Sequence, residues 1–417
     1  MEKTDYLVVG GGVAGAQATA AIRAKDPAGR IVLIAGEPHL PYDRPPLSKS
    51  LLRGKTTTED AESKAPEFYP DQRVELRQGS PAKTIDREAR TVTLEDGTEI
   101  GYERLLLATG ARAKPPEFEG HDLDGVLCLR NVEDSLGLRE RFRPGARVVV
   151  VGTGYIGIEG AAAALDAGAS VTLVDPGARA WGKFASETTG GYVRSFLEGK
   201  GATFQLGDEV TAVARDGDAL RVTLKGGDTL PADVVLVGVG AALNIELGKA
   251  SGLETDEKHG LVADETLRTA DPRVWVAGDI AGFQDVALGK RWHAEHYLNG
   301  KWQGLHVGAN MARDAAGESP EPYDRVPYFF SDILETHMIL RGDPQGGEWT
   351  RTIGDVSTGE YVELAAREDG TLACGLAFSG EESKLDAISD ELERLFRERA
   401  EVDEITLDEI TLGVVRS

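Results

Sequence analysis

The feature that most constrains this fold is a glycine-rich loop, set between a strand and a helix, that occurs twice. The first copy, GGGVAG, runs from Gly10 to Gly15, and the second, GTGYIG, runs from Gly152 to Gly157. Each follows an apolar run of β-forming residues and precedes a stretch rich in alanine, after which a second apolar run appears. This order predicts two β–α–β units in one chain.

Both loops match the GxGxxG pattern of dinucleotide sites. In that pattern the first glycine permits a tight turn, the second lets a pyrophosphate approach the backbone, and the third lets the helix pack against the strand. The helix N-terminus then offers unpaired N–H groups and a positive dipole to the phosphates. One such loop is weak evidence, but two in the right strand–helix context predict two dinucleotide sites.

An acid follows the second strand of each unit, Glu37 in the first and Asp175 in the second. An acid at this place accepts hydrogen bonds from a ribose, and it repels a 2′-phosphate. Asp175 therefore favours NADH over NADPH, although the nearby Arg179 keeps the second possibility open. Glu37 could instead be an ordinary acid of a surface turn.

Composition excludes several classes of function. The formal net charge of −24 argues against binding to nucleic acid or to anionic membranes. The charge fits either a soluble, self-repelling surface or adaptation to high salt. The sequence contains no run of eighteen apolar residues, so we expect no membrane span. Cys128 and Cys374 form no CxxC pair, so we expect neither a metal site nor a redox disulfide. So few cysteines also lead us to expect a cytoplasmic location.

Four further segments carry a resemblance to a known family: PYDRPPLSK at 41–49, LLLATGAR at 105–112, VVGTGYIGIE at 150–159 and VAGDIA at 276–281. The chain resembles the ferredoxin-reductase branch of the FAD-dependent pyridine-nucleotide oxidoreductases. That branch includes putidaredoxin-type and biphenyl-dioxygenase-type reductases and is related to apoptosis-inducing factor. The resemblance covers roughly residues 4–340 in ordered motifs.

The resemblance implies an α/β fold like that of glutathione reductase, with two Rossmann-like dinucleotide-binding domains and a C-terminal α+β domain. We expect an FAD-binding domain at 1–112 and 248–325, an NAD-binding domain at 113–247 and an interface domain at 326–417. A charged helix is predicted from about 381 to 401. The prolines of 41–49 predict a stiff, extended loop that holds Arg44 and Lys49.

The resemblance also implies roles in FAD binding. Lys49, with Arg44 beside it, would lie near the flavin N5 edge, where a cation stabilises the reduced ring. Phe330 stands where the family commonly has a tryptophan over the flavin, although it could equally be a core aromatic. The family acid usually stands at the position of Gly36, whereas here it is Glu37. The full set expected to bind FAD is Gly10, Gly12, Ala14, Gly15, Glu37, Arg44, Lys49, Ala82, Thr109, Gly110, Arg130, Asp279 and Tyr297.

For NADH, the resemblance places Glu159 near the nicotinamide carboxamide and Gly240 at the edge of the nicotinamide. An ordinary helix glutamate is the alternative reading of Glu159. The full set expected to bind NADH is Gly152, Gly154, Tyr155, Ile156, Gly157, Glu159, Asp175 and Gly240. Lys49, Glu159 and Phe330 are the expected catalytic residues, and no metal site is expected.

The predicted function is transfer of electrons from NADH through FAD to a ferredoxin-like iron–sulfur protein. Two alternatives stay open: an NADH oxidase or quinone reductase of the same fold, with oxygen or a quinone as acceptor, and a redox-signalling protein like apoptosis-inducing factor. Ferredoxins are generally acidic, so the charge of −24 leaves the acceptor unsettled. A monomer or a homodimer is expected.

Overall fold

The computed structural model describes residues 2–406 and residue 410. The strands are β1 (Glu2–Val9), β2 (Ile31–Ile34), β3 (Val74–Arg77), β4 (Ala82–Asp86), β5 (Thr91–Leu94), β6 (Glu99–Leu107), β7 (Ala111–Ala113), β8 (Val126–Cys128), β9 (Arg147–Val151), β10 (Ser170–Asp175), β11 (Thr203–Leu206), β12 (Val210–Asp216), β13 (Ala219–Leu224), β14 (Thr229–Ala232), β15 (Val234–Val237), β16 (Ala241–Leu243), β17 (Thr255–Asp256), β18 (Gly260–Ala263), β19 (Val274–Val276), β20 (Ala281–Asp285), β21 (Lys290–Trp292), β22 (Tyr328–Ile333), β23 (Thr336–Gly342), β24 (Glu348–Asp355), β25 (Glu360–Ala366) and β26 (Leu372–Ser379).

The helices are α1 (Val13–Lys25), α2 (Pro45–Ser48), α3 (Phe68–Asp71), α4 (Val132–Arg141), α5 (Tyr155–Asp166), α6 (Glu187–Gly199), α7 (Glu246–Ala250), α8 (Tyr297–Ala315) and α9 (Glu382–Glu398), with short 3-10 turns at Glu59–Ala61 and Val402–Glu404. Two compact units contain these elements. Unit 1 comprises the residues up to Asp43, Glu59–Arg112 and Ala242–Pro327. Unit 2 comprises Arg44–Thr58, Ala113–Ala241 and the residues from Tyr328 onward.

Unit 1 is built on a sheet in the order β3-β2-β1-β6-β5-β4, with β19 also paired to β6. The strands β3, β2, β1, β6 and β19 are parallel, and β4 and β5 add an antiparallel edge. All four residues of β2 are buried, as expected for a parallel strand covered on both faces. The helix α8 packs along α1. A second, four-stranded sheet has the order β17-β18-β20-β21.

Unit 2 contains a parallel sheet in the order β11-β10-β9-β15-β8 and a small antiparallel sheet, β12-β13-β14. Its third sheet, in the order β22-β23-β26-β25-β24, is antiparallel throughout. The charged helix predicted near 381–401 is α9, which packs an apolar stripe against this sheet. The buried members of the stripe are Leu385, Ile388, Leu392, Leu395 and Phe396. The predicted α+β character of the C-terminal region is therefore observed.

One expectation differs from the structure. The segment 41–49 is not an extended loop throughout, because Pro45 and Pro46 open the one-turn helix α2. Proline is well tolerated in a first helical turn, where its missing N–H has no intrahelical acceptor. Of the two compact units, unit 2 groups 44–58, 113–241 and the C-terminal region together. The four-segment division into domains stays a prediction, since compact units need not coincide with functional domains.

Candidate dinucleotide sites

The first glycine loop begins directly after β1. Gly10 has φ +133°, and a Cβ placed on it would lie 2.1 Å from the carbonyl oxygen of Ala108. A Cβ on Gly15 would lie 2.0 Å from the carbonyl oxygen of Gly10. Both distances are far below a van der Waals contact, so packing within the chain alone requires glycine at these two positions.

Gly12 is different, because a Cβ on it would meet nothing within 4 Å. Packing within the chain therefore does not explain this glycine, whereas the close approach of a pyrophosphate does. Gly12 is also the residue that precedes α1, so the first N–H groups of α1 face the same region. The loop thus fits the phosphates of a dinucleotide.

The second loop repeats this arrangement after β9. Gly152 has φ +101°, and its Cβ would lie 2.4 Å from the carbonyl oxygen of Gly238. A Cβ on Gly157 would lie 2.0 Å from the carbonyl oxygen of Gly152, whereas a Cβ on Gly154 would meet nothing within 4 Å. The helix α5 begins at the next residue, Tyr155. The second loop therefore fits a second pyrophosphate by the same test.

The two predicted ribose-binding acids have different surroundings. Asp175 ends β10, and its Oδ2 accepts from the N–H of Thr153 at 2.7 Å and from the Thr153 hydroxyl at 2.8 Å. Its Oδ1 accepts from the N–H of Gly177 at 2.7 Å. Asp175 therefore holds the second loop directly. Glu37 accepts a hydrogen bond from the hydroxyl of Tyr42.

An aromatic cluster lies beside the second loop. The ring of Tyr155 stacks on Phe184 with centroids 4.3 Å apart, and Trp181 lies 5.3 Å from Tyr155. The backbone N–H of Trp181 donates to the carbonyl of Thr153 at 3.2 Å. Tyr155 is also the first residue of α5, so its backbone N–H belongs to the helix-start groups that have no intrahelical acceptor. The sequence shows these aromatic residues, but it does not predict that they pack against one another.

The helix α8 reaches α1 through glycines. A Cβ on Gly304 would lie 2.2 Å from the carbonyl oxygen of Ala14, and a Cβ on Gly308 would lie 2.4 Å from that of Ala18. Tyr297, the first residue of α8, donates its hydroxyl to Asp43 at 2.6 Å. Burial and the Asp43 carboxylate raise the pKa of Tyr297 above its usual value. Tyr297, one of the residues expected to bind FAD, therefore lies at a helix start.

The three expected catalytic residues meet in unit 2. The Nζ of Lys49 lies 2.7 Å from Oε1 of Glu159 and 5.4 Å from the ring centroid of Phe330. Glu159 is 5% exposed and also accepts from the hydroxyls of Ser331 at 2.6 Å and Ser48 at 2.5 Å. A buried carboxylate is costly unless it is paired and hydrogen-bonded, and here it is both. Glu159 is therefore not an ordinary surface glutamate of a helix.

The remaining expected site residues fall into smaller groups. Arg44 donates to the backbone carbonyl of Arg130. The hydroxyl of Thr109 donates to the carbonyl of Asn244 at 2.6 Å, and the Asn244 amide donates back to the carbonyl of Thr109 at 2.9 Å. The other positions are Gly110 with φ +64°, Gly240 with φ +116°, Ala82 at the start of β4, Ile156 in α5 and the half-buried Asp279.

Sequence reasoning missed Ser48, Ser331 and Asn244. Ser48 and Ser331 stand next to Lys49 and Phe330 in motifs that drew attention for those neighbours. That adjacency was the available signal, but it does not say where a hydroxyl points.

Cysteine thiols and clustered metal ligands would be the other possible redox centres of the chain. Cys128 and Cys374 are free thiols, and burial raises the pKa of both. Across the described part of the chain, His, Cys, Asp and Glu form no group of three or more placed to hold a metal ion. Within residues 2–406 and 410, no helix is both long enough and apolar enough to cross a membrane.

The model of the family described as pyridine nucleotide-disulphide oxidoreductase matches residues 4–309, and the chain belongs to that family. Within it, the relatives place the chain in the ferredoxin reductase branch. The anthranilate 1,2-dioxygenase system ferredoxin–NAD(+) reductase component of Burkholderia cepacia is 34% identical over 381 residues, covering 90% of this chain and 91% of that protein.

Two solved structures agree with this placement. The ferredoxin reductase for the CYP199A2 system of Rhodopseudomonas palustris has a TM-score of 0.85 and 33% identity, covering 91% of each chain. The covalent putidaredoxin reductase–putidaredoxin complex has a TM-score of 0.89 and 27% identity over the full length of both chains. The predicted family and fold class are confirmed, with two Rossmann-like regions and a C-terminal α+β region.

Proposed function

We propose that this protein is an FAD-dependent reductase that takes electrons from NADH and passes them to a ferredoxin-like iron–sulfur protein. One observation carries the proposal: each of two strand–loop–helix units has a middle glycine, Gly12 or Gly154, that packing does not require. The relatives add the reaction, since one is a ferredoxin–NAD(+) reductase component and one was captured with putidaredoxin.

FAD is assigned to the Gly10 loop as the resident cofactor, and it supplies a carrier that accepts a hydride and releases electrons singly. The N-terminal N–H groups of α1 bind its pyrophosphate. Glu37 and the backbone at Ala82, Thr109 and Gly110 line its adenosine side. Asp279 and the start of α8 at Tyr297 bind the remainder. The resemblance adds Arg44, Lys49, Arg130 and Phe330, and these roles are part of the proposal.

NADH is assigned to the Gly152 loop. Asp175 already accepts from the loop N–H at Thr153 and has acceptor capacity left for a ribose hydroxyl. Its negative charge repels a 2′-phosphate, so NADH is preferred over NADPH. Asp175→Asn should narrow that preference by roughly tenfold, because the amide keeps an acceptor for Thr153 but loses the charge. The measurement is the ratio of kcat/KM for the two donors, and an unaltered ratio contradicts the assignment.

The electrons leave for an external acceptor in this proposal. The two free thiols, Cys128 in β8 and Cys374 in β26, lie on different sheets of unit 2 and form no disulfide that could receive them. The net charge of −24 opposes approach of an acidic acceptor, so its rate of reduction should rise with ionic strength until the repulsion is screened. Free thiols also fit a reducing compartment, and a cytoplasmic location is part of the proposal.

The test begins with the purified protein, which should carry FAD. Anaerobic mixing with NADH should bleach the flavin rapidly, and addition of [2Fe–2S] ferredoxins should restore its colour with multiple turnovers. Rapid bleaching followed by consumption of oxygen or quinone, with no ferredoxin reduced, points instead to an oxidase or quinone reductase. Slow bleaching with an NADH-dependent change of oligomeric state points to a signalling protein. Protein that binds no flavin contradicts all three.

A further inference from the structure

The carboxylate of Glu159 is held by three donors from two other segments of unit 2. Lys49 and Ser331 both donate to Oε1, at 2.7 and 2.6 Å, and Ser48 donates to Oε2 at 2.5 Å. The hydroxyl-bearing residues are as buried as Glu159, with Ser331 at 0% and Ser48 at 4% exposure. The carboxylate is therefore fixed on both oxygens.

A count of acceptor positions shows what this arrangement leaves open. A carboxylate offers about four lone-pair positions, two on each oxygen. Among the described residues, Lys49 and Ser331 use both positions of Oε1, whereas Ser48 uses one of Oε2. One acceptor position of a buried carboxylate oxygen therefore remains for an N–H or O–H donor.

The first dinucleotide unit shows that the helix itself does not need a charge here. Gln17 lies five residues after Gly12, as Glu159 lies five residues after Gly154. Gln17 is 6% exposed, and its Oε1 accepts from Lys64 at 2.9 Å. A neutral amide at the same helix position is therefore sufficient to fill the buried space and to accept a hydrogen bond from a lysine. The charge of Glu159 and its two hydroxyl donors call for a reason outside packing.

The family resemblance places Glu159 near the nicotinamide carboxamide. We propose that Ser331, with Ser48, is a positioning residue for NADH that orients Glu159 so that Oε2 can receive an N–H of that carboxamide. This inference rests on the proposed function. The terminal torsion of a glutamate is broad and nearly two-fold, so the carboxylate plane is set by its hydrogen bonds. Without the Ser331 hydroxyl, Lys49 and Ser48 each hold one oxygen. The carboxylate plane then has one restraint fewer, so the direction of the open position on Oε2 is less narrowly set.

The test compares two ligands that differ at the carboxamide. NAD⁺ has the amide N–H, and 3-acetylpyridine adenine dinucleotide replaces the amide with an acetyl group that cannot donate. Equilibrium binding to the oxidised FAD-loaded protein should favour NAD⁺ by about tenfold, as expected for one hydrogen bond to a charged group. In Ser331→Ala the preference for NAD⁺ should fall to about twofold or less. The amide N–H of NAD⁺ and the Ser331 hydroxyl bind the same carboxylate, so their contributions are coupled.

Ser389→Ala is the matched control, since Ser389 is a buried serine whose hydroxyl accepts from Nε of Arg341 at 2.8 Å. It should keep the wild-type preference. Equal weakening of both ligands in Ser331→Ala, or no preference in the wild type, overturns the inference. If Ser331→Ala does not fold, Ser331→Cys and Ser48→Ala supply the same comparison. A wild-type flavin that NADH does not reduce contradicts the proposed function, whereas normal reduction with an unchanged preference in Ser331→Ala contradicts this inference alone.

Discussion

The two glycine loops are built alike where the backbone demands it. In both, a Cβ on the first glycine would strike a carbonyl oxygen of a neighbouring strand end, and a Cβ on the third would lie 2.0 Å from the carbonyl of the first. In both, a Cβ on the middle glycine meets nothing. The cradle for a pyrophosphate is therefore one solution used twice, and it does not distinguish FAD from NADH.

The loops differ in the side chains around them. The helix after the first loop places the neutral Gln17 at the position where the second places the charged Glu159. Asp175 accepts from the second loop itself, whereas Glu37 accepts from Tyr42. We infer that the backbone of each loop provides general dinucleotide affinity, and that the side chains one turn further on adapt each site to its ligand.

The largest expected effects come from the third glycines. Gly157→Ala puts a Cβ 2.0 Å from the Gly152 carbonyl and must displace the second loop, so flavin reduction by NADH should fall by more than about 100-fold. FAD content should stay normal. Gly15→Ala should do the reverse and yield protein without FAD. Flavin absorbance and stopped-flow reduction measure both, and loss of FAD in Gly157→Ala would contradict the separate assignment of the loops.

The middle glycines should give a cleaner but smaller separation. Gly12→Ala and Gly154→Ala introduce no contact within 4 Å, so the unfolding temperature of the ligand-free protein should be unchanged. Each should weaken its own dinucleotide by roughly tenfold or more, because the methyl group occupies the space of the pyrophosphate. Thermal unfolding and binding titrations check this. A destabilised ligand-free protein would mean that packing, not the ligand, requires these glycines.

Exchanging the helix residues tests what the side chains add. Glu159→Gln keeps the shape and an acceptor for Lys49, so the protein should fold, while flavin reduction by NADH slows by roughly tenfold. Gln17→Glu is the counterpart in the first helix. It keeps the size of the side chain and should weaken FAD binding through repulsion of the FAD phosphates. Rapid-mixing kinetics and FAD titration are the readouts. Unchanged reduction in Glu159→Gln would remove the distinction drawn between the two helices.

Lowering the pH should affect unit 1 modestly. Burial lowers the pKa of His259 and of His306, and the neighbouring His293 lowers that of His259 further. The folded protein therefore favours the neutral forms of both. Their stabilising contribution is present above the ordinary pKa of about 6.5 and declines as the pH falls below it. Denaturant unfolding between pH 7 and 5 measures the slope. The double variant His259→Gln/His306→Gln should flatten it, and an undiminished slope would refute this cause.

The sequence by itself determined the path of the backbone around both sites. The alternation of strand, glycine loop and alanine-rich helix and the acid at Asp175 were readable, because each depends on residues close together in the chain. The C-terminal helix was readable for the same reason. The helix at Pro45 was missed, since proline permits both an extended segment and a first helical turn.

Only the tertiary structure decided which side chains meet. Ser48 and Ser331 are 111 and 172 residues from Glu159 in the chain, and nothing local directs their hydroxyls to its carboxylate. The contacts of Gly304 and Gly308 with α1 are likewise invisible until α8 is packed. A local pattern sets backbone conformation, whereas the donors around a buried charge are chosen by how distant segments pack. That is why the loops could be found in the sequence and the orientation of Glu159 could not.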